Sequence, residues 1–272
     1  MQIPKSHLLK YTVIAILAVT LANCLFHKEK KYHPRDYAEI TASKIIRVTT
    51  EYNSISFYIN RDTLAGFYYE LIEAFAKDHG LKTEITPEMS FDQRVQGLTE
   101  GKYDVIANGI LRTSELKDSL LLTTPIILNK EVLVQRKATS PTDSTFIKSQ
   151  LELAGKILYV VKNSPSILRI HNLGNEIGDT IYIKEIDKYG PEQLISLVAH
   201  GNIDYAVCDE SIARAAADSL PQIDMTTAIS FTQFYSWAVS NKSPVLLDSL
   251  NIWLTTFRKK KEFKQLYKKY YR

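Results

Sequence analysis

The 272-residue sequence predicts an α/β protein built as two lobes of similar plan, and two observations carry that prediction. Short apolar runs of strand length alternate with helical spacing from Ile45 to Ala107, and the same alternation recurs from Ile157 to Val207. The two stretches also share punctuation. Leu98-Thr-Glu-Gly-Lys-Tyr-Asp-Val-Ile and Leu197-Val-Ala-His-Gly-Asn-Ile-Asp-Tyr-Ala-Val each run helix end, glycine, two residues, aspartate, apolar strand. Alternation of this kind implies mainly parallel sheets flanked by helices on both faces.

At the N-terminus, Lys5 and Lys10 precede an apolar run from Tyr11 to Ala22 that ends Leu21-Ala22-Asn23-Cys24. A basic start followed by roughly a dozen apolar residues fits a secretory signal, because a membrane span needs about 20. A leucine, a small residue, one further residue and a cysteine resemble the bacterial lipoprotein signal. That resemblance implies a signal peptide over 1–23 and lipidation of Cys24. The other reading is an uncleaved anchor helix running on to Phe26; both put the body outside the cytoplasmic membrane. Residues 24–43 read as a tether, polar and charged from His27 to Thr41, with any attraction of its bases to anionic headgroups weak.

In the body, Ile45–Thr50 reads as a buried strand, Tyr68–His79 as a helix ended by Gly80, and Leu81–Ile85 as a second strand. Phe91–Glu100 reads as a helix closed by Gly101, and Tyr103–Ala107 as a third strand. The second half repeats this with strands at Ile157–Val161, Ile181–Ile186 and Ile203–Val207 and helices at Ser164–Leu173 and Pro191–His200. A helix over Glu210–Ala217, a strand near Tyr235–Val239 and helices over Pro244–Phe257 and Lys261–Tyr270 complete the chain. The last helix has Phe263, Leu266, Tyr267 and Tyr270 on one side and Lys264, Lys268 and Arg272 on another.

Composition narrows the classes of function. With 45% hydrophobic and 24% charged residues, the chain is neither disordered nor a polytopic membrane protein. The net charge of +4 is unevenly placed: residues 258–272 carry eight bases against one acid, whereas 37–257 carry 20 bases against 27 acids. An acidic body with basic ends argues against nucleic acid, and the terminal lysines suit the C-terminal dipole of a solvated helix. Two cysteines build no disulfide framework, and Cys208 reads as a small buried thiol. The six histidines are scattered away from any metal-ligand spacing, and no G-x-S-x-G, P-loop or G-x-G-x-x-G occurs. No metal and no cofactor are expected, and the weight moves toward binding.

In open α/β sheets, ligands sit outside the carboxyl ends of the strands. Four loops take that position: Glu51 to Ser54 with Phe57 and Tyr58; Asn108 to Glu115; Lys162 to Ser166; and Cys208 to Glu210. The third opens a helix, where free N–H groups favour an anion. Each has a plainer reading as helix capping, at Thr113, at Ser164 with Pro165 and at Asp209. Together they read as the walls of a cleft.

Gly66-Phe-Tyr-Tyr-Glu-Leu, the Gly101-x-x-Asp strand with Thr113-Ser-Glu, and the closing Phe263-Lys-Gln-Leu-Tyr resemble the family 3 extracytoplasmic solute-binding proteins. Val48–Tyr58 and Gly201-x-x-Asp-Tyr-x-Val-x-Asp are most similar to the non-catalytic binding domain of the membrane-bound lytic murein transglycosylase F group. The resemblance implies a two-lobed, hinged, periplasmic-binding-protein-like (type II) fold, with lobe one at 44–126 and 236–272 and lobe two at 131–230. It implies capture of an amino acid, peptide or muropeptide-like ligand for transport or sensing. The expected protein is a monomer, anchored by lipid to a bacterial membrane on the periplasmic side, with an ABC-type permease or a cell-wall enzyme as its partner. The candidate ligand contacts are Thr49, Thr50, Asn53, Tyr58, Phe91, Asn108, Gly109, Arg112, Thr113, Lys162, Asn163, Ser164, Ser166 and Asp209. Leu116 stands where amino-acid binders carry the arginine that clamps a ligand carboxylate, while Asp209 falls on the position that accepts an α-amino group. Catalysis is not expected, since the chain closes where the binding domain does. The enzymatic alternative, a periplasmic dehydratase, would need Glu51 or Glu115 as proton donor; a further alternative is a related regulatory protein without a catalytic domain.

Overall fold

The computed structural model describes residues 32–111, 119–187 and 190–271. The expectations for the signal, for Cys24, and for Arg112, Thr113, Glu115 and Leu116 fall outside these. The folded body begins at His33, eleven residues earlier than the tether reading allowed. A short helix α1 (Tyr37–Ser43) buries Ile40 completely. Asp36 caps this helix by accepting from Tyr37 N–H at 2.8 Å, and also accepts from the N–H groups of Val245 and Leu246 at a second helix start. Arg35 pairs with the buried Asp104, which Arg47 also engages through its backbone N–H at 2.7 Å and its guanidinium. Residues 33–43 look like linker because their single buried residue, Ile40, sits among charges.

The first sheet contains β1 (Ile45–Thr50), β4 (Lys82–Pro87), β5 (Val105–Leu111), β6 (Leu120–Leu122), β7 (Ile127–Asn129) and β13 (Gln233–Ser240), in the order β4-β1-β5-β13-β6 with β7 also on β13. A hairpin of β2 (Tyr58–Asn60) and β3 (Thr63–Ala65) stands apart from it. Helices α2 (Phe67–Asp78) and α3 (Phe91–Thr99) make the crossovers. The second sheet has the order β10-β9-β11-β8-β12, from β8 (Glu131–Arg136), β9 (Ile157–Val161), β10 (Tyr182–Ile186), β11 (Ala206–Asp209) and β12 (Ile223–Asp224). Its helices are α4 (Ser166–Ile177), α5 (Pro191–Ala199) and α6 (Glu210–Ala217).

The sheets are mixed. β4, β1 and β5 are parallel, as are β10, β9 and β11, but β13 and β8 run antiparallel to their neighbours. Helical crossovers yield parallel strands; β8 and β13 instead arrive by direct passage from the other sheet. The chain passes over between Asn129 and Glu131 and returns between Asp224 and Gln233. Each sheet thus accepts one reversed strand from the other, the two-lobed type II plan.

The closing helices α7 (Pro244–Phe257) and α8 (Lys261–Tyr270) seal the first lobe. Phe67 meets the edges of Phe263, Tyr267, Tyr270 and Tyr271 with ring centroids 5.0–6.5 Å apart, while Lys264 and Lys268 stay exposed. Gly66 begins α2 at φ 134°, and a Cβ there would lie 2.3 Å from the Ser56 carbonyl oxygen, so only glycine fits. No helix among the described residues is long and apolar enough to cross a membrane.

Candidate ligand-binding site

The segments that follow β1, β4, β9 and β10 and the C-terminal parts of β5 and β11 all border one cavity between the lobes, of about 100 Å³. A water needs ~10–15 Å³, so the space suits a small solute. A smaller cavity of about 40 Å³ adjoins it, sharing Glu51, Asn108, Gly109 and Asp209. The lobes meet across the cleft. Asn163 Nδ2 donates to Asp92 at 2.5 Å, Ser54 N–H to Glu192 at 2.9 Å, and Asn129 Nδ2 to Ser211 at 3.0 Å. The hydroxyl of Tyr235, on β13, donates to Asp209 of the opposite lobe at 2.5 Å.

Asp209 is not spent on capping α6, since its side chain makes no cap hydrogen bond there. It turns into the cavity. Burial raises its carboxyl to about 7, with Glu131 and Glu51 adding to the rise and the Tyr235 hydrogen bond opposing it. Asn108 is 6% exposed, and its Oδ1 has no hydrogen-bond partner in the protein. Gly109 lies against Tyr235 and Tyr68, where a Cβ would come within 2.6 and 2.7 Å of their atoms. Phe91, the first residue of α3, lines the wall.

Other candidates have different work. Thr49 and Thr50 are buried in β1 and donate to the carbonyls of Thr86 and Ala107, outside both cavities. Tyr58 lies on the hairpin, away from the cavity. Asn53 uses its Oδ1 to accept from Ile55 and Ser56 N–H in a local turn, and borders the smaller cavity. Lys162 lines the cavity mouth but reaches out to Asp187 at 3.0 Å. Asn163, at φ 55°, joins the lobes through Asp92. Ser164 and Ser166 bond to one another, and the start of α4 is partly self-satisfied, because Ser166 N–H finds Ser164 Oγ at 3.3 Å. Ser166 Oγ then donates to Glu131 at 2.5 Å. Cys208 is a buried free thiol, pushed well above its ordinary value by burial.

Two side chains at the cavity escaped the sequence reading. Arg94 is 3% exposed, lines the cavity beside Phe91, and hydrogen-bonds the carbonyls of Glu88 and Met89. Its guanidinium is 3.4 Å from Glu51, and Nε has no partner in the protein. Burial lowers the Arg94 value, and Glu51 and Glu88 oppose that. Glu131, 4% exposed at the start of β8, is raised by burial against the pull of Ser166 and Arg169. Both carried a signal. Arg94 sits three residues after Phe91 and four before Leu98, on the inward face of α3. Glu131 is the one acid heading the apolar run Val132–Val134, at the crossing itself.

A two-lobed α/β body with a partly open interlobe cavity lined by acids, a buried arginine and both polar and apolar side chains is the architecture of a small-molecule-binding protein. The profile of the bacterial extracellular solute-binding proteins, family 3, matches residues 45–272, and the chain belongs to that family. Curated relatives include membrane-bound lytic murein transglycosylase F of Idiomarina loihiensis, 24% identical over 87% of this chain and 50% of the relative. The same enzyme of Desulfosudis oleivorans is 27% identical over 83% of this chain and 48% of the relative. The chain thus spans about half the length of the curated relatives it matches. Among solved structures, an ancestral arginine-binding protein bound to arginine is 26% identical with a TM-score of 0.72, covering 84% of this chain and 99% of that one. Holo ArgBP from T. maritima shares the fold at 22% identity and a TM-score of 0.70, covering 87% and 100%.

Proposed function

We propose that this chain is a lipid-anchored, periplasmic solute-binding protein, not an enzyme, that captures a small polar ligand bearing an amino group for transport or sensing. Amino acids, short peptides and muropeptide-like fragments are the classes considered. The observation that carries the reading is the cavity itself: Asp209, held by Tyr235 from the opposite lobe, lines it together with Arg94 and Asn108. A protonated amine suits Asp209, whose carboxylate it would stabilise. A ligand carboxylate suits Arg94, whose guanidinium offers planar N–H donors where position 116 has leucine. The family and the amino-acid-binding structural neighbours support the ligand class, and the N-terminal cysteine pattern supports the anchor.

In this reading one lobe comprises 44–126 and 236–272, extended by residues 33–43, and the other 131–230. Opening would require release of the Asn163–Asp92 and Ser54–Glu192 bonds. Calorimetric titration against free amino acids and cell-wall peptides tests the proposal. Saturable binding that is lost in Asp209→Ala is expected. No heat and no thermal stabilisation at millimolar ligand would overturn it.

A further inference from the structure

Glu131 opens β8 and Asp209 closes β11, and the two are direct partners across this antiparallel pair. Residues in that relation share a face of the sheet and stand side by side. Two carboxylates therefore occupy adjacent places on one wall of the cavity, an arrangement that is unfavourable by itself. Glu131 receives Ser166 Oγ on Oε1, while its buried Oε2 has no hydrogen-bond partner in the protein. Asp209 receives the Tyr235 hydroxyl. Neither acid forms an ion pair among the described residues; Arg169, whose charge acts on Glu131, is itself bound to Glu176 and to the Ile229 carbonyl. Asn108 Oδ1 supplies another buried acceptor without a protein partner, and Arg94 Nε is, among the described residues, the one buried side-chain donor lining the cavity without one. Among the described residues the unsatisfied side-chain groups lining the cavity thus present two acceptors and one donor.

We propose that Glu131 and Asp209 form a paired-carboxylate subsite and that the ligand carries two protonated nitrogen groups, as a dibasic amino acid does. This rests on the ligand-binding reading above. One nitrogen group takes Asp209 and the second takes Glu131 Oε2, while the ligand carboxylate takes Arg94. Burying a polar group without a partner is costly, so a neutral amino acid of similar length leaves Glu131 unsatisfied and binds more weakly.

The test is calorimetric titration of the whole protein with L-lysine, L-ornithine and L-arginine, and with L-glutamine and L-methionine as uncharged probes of similar length. The expected result is at least one dibasic probe binding about tenfold or more tightly than either uncharged one, a difference of about 1.4 kcal/mol. In Glu131→Gln that preference collapses, with the uncharged probes changed less than threefold. Equal or tighter binding of the uncharged probes, or an equal loss for all five in Glu131→Gln, would overturn the subsite while leaving the binding function standing. Binding of none of the five, with none by cell-wall peptides, would overturn both. Should Glu131→Gln not fold, the ranking of the five probes on the natural protein decides alone.

Discussion

Replacing Asp209 by asparagine should change how stability depends on pH before any ligand is known. The folded protein raises this carboxyl from 3.8 to about 7. Between about pH 4 and pH 7 the folded state therefore keeps a proton that the unfolded state has released. The folded state binds more protons there, so stability falls as pH rises through that window and levels off above it. A rise of about three units corresponds to about 4 kcal/mol at 1.36 kcal/mol per unit. Asp209 keeps intermediate solvent exposure, and screening reduces the expected figure to about 2–4 kcal/mol. Asparagine keeps the shape and removes the titration. Urea unfolding of the natural protein and of Asp209→Asn from pH 4 to pH 8 measures the difference. The variant should gain about 2–4 kcal/mol relative to the natural protein across that range, most of it before pH 7. Parallel profiles would refute the claim that the cavity holds a buried carboxyl at an unfavourable charge.

Further outcomes follow from the same geometry. Asp104→Ala, which strips the shared acceptor from Arg35 and Arg47, should cost about 3–5 kcal/mol in denaturant unfolding, as expected when one partner of a buried ion pair is removed. Gly109→Ala should weaken ligand binding by tenfold or more in calorimetry, since its Cβ would collide with Tyr235 and disturb the Asp209 contact. Asn163→Ala should raise the ligand dissociation rate in stopped-flow without a comparable loss of stability, because the bond to Asp92 is exposed and spans the cleft. The proposed lipid anchor makes its own prediction, apart from this geometry: Cys24→Ser should abolish incorporation of labelled fatty acid and release the protein from membranes on fractionation.

The elements that the sequence revealed are those with a long period and clear punctuation. α2, α3 and α5 each end before a residue–glycine pair, at Gly80, Gly101 and Gly201, and β1 and β9 are apolar runs between turn residues. The hairpin β2–β3 stayed hidden because each strand has three residues, mostly exposed, too short for alternation to register. β8 reads as an apolar run of either hand, and its reversed direction follows from a crossing that local pattern does not encode. In the site, Asp209, Asn108, Gly109 and Phe91 were legible because strand ends and the helix start place them there. Thr49, Thr50 and Asn53 stood at the right strand end but turn their polar atoms to the backbone, a distinction made by strand packing. Arg94 and Glu131 were passed over because charged residues among apolar ones usually reach solvent, whereas the fold leaves them 3% and 4% exposed.

The account stands or falls on whether the interlobe cavity takes an amine-bearing solute. Native mass spectrometry of the protein, purified under gentle conditions and then supplied with the amino-acid and cell-wall-peptide probes, measures this directly. The account predicts a one-to-one adduct of amino-acid or short-peptide mass that disappears in Asp209→Ala. A spectrum of bare protein under every condition, or an adduct that persists unchanged in Asp209→Ala, would contradict it.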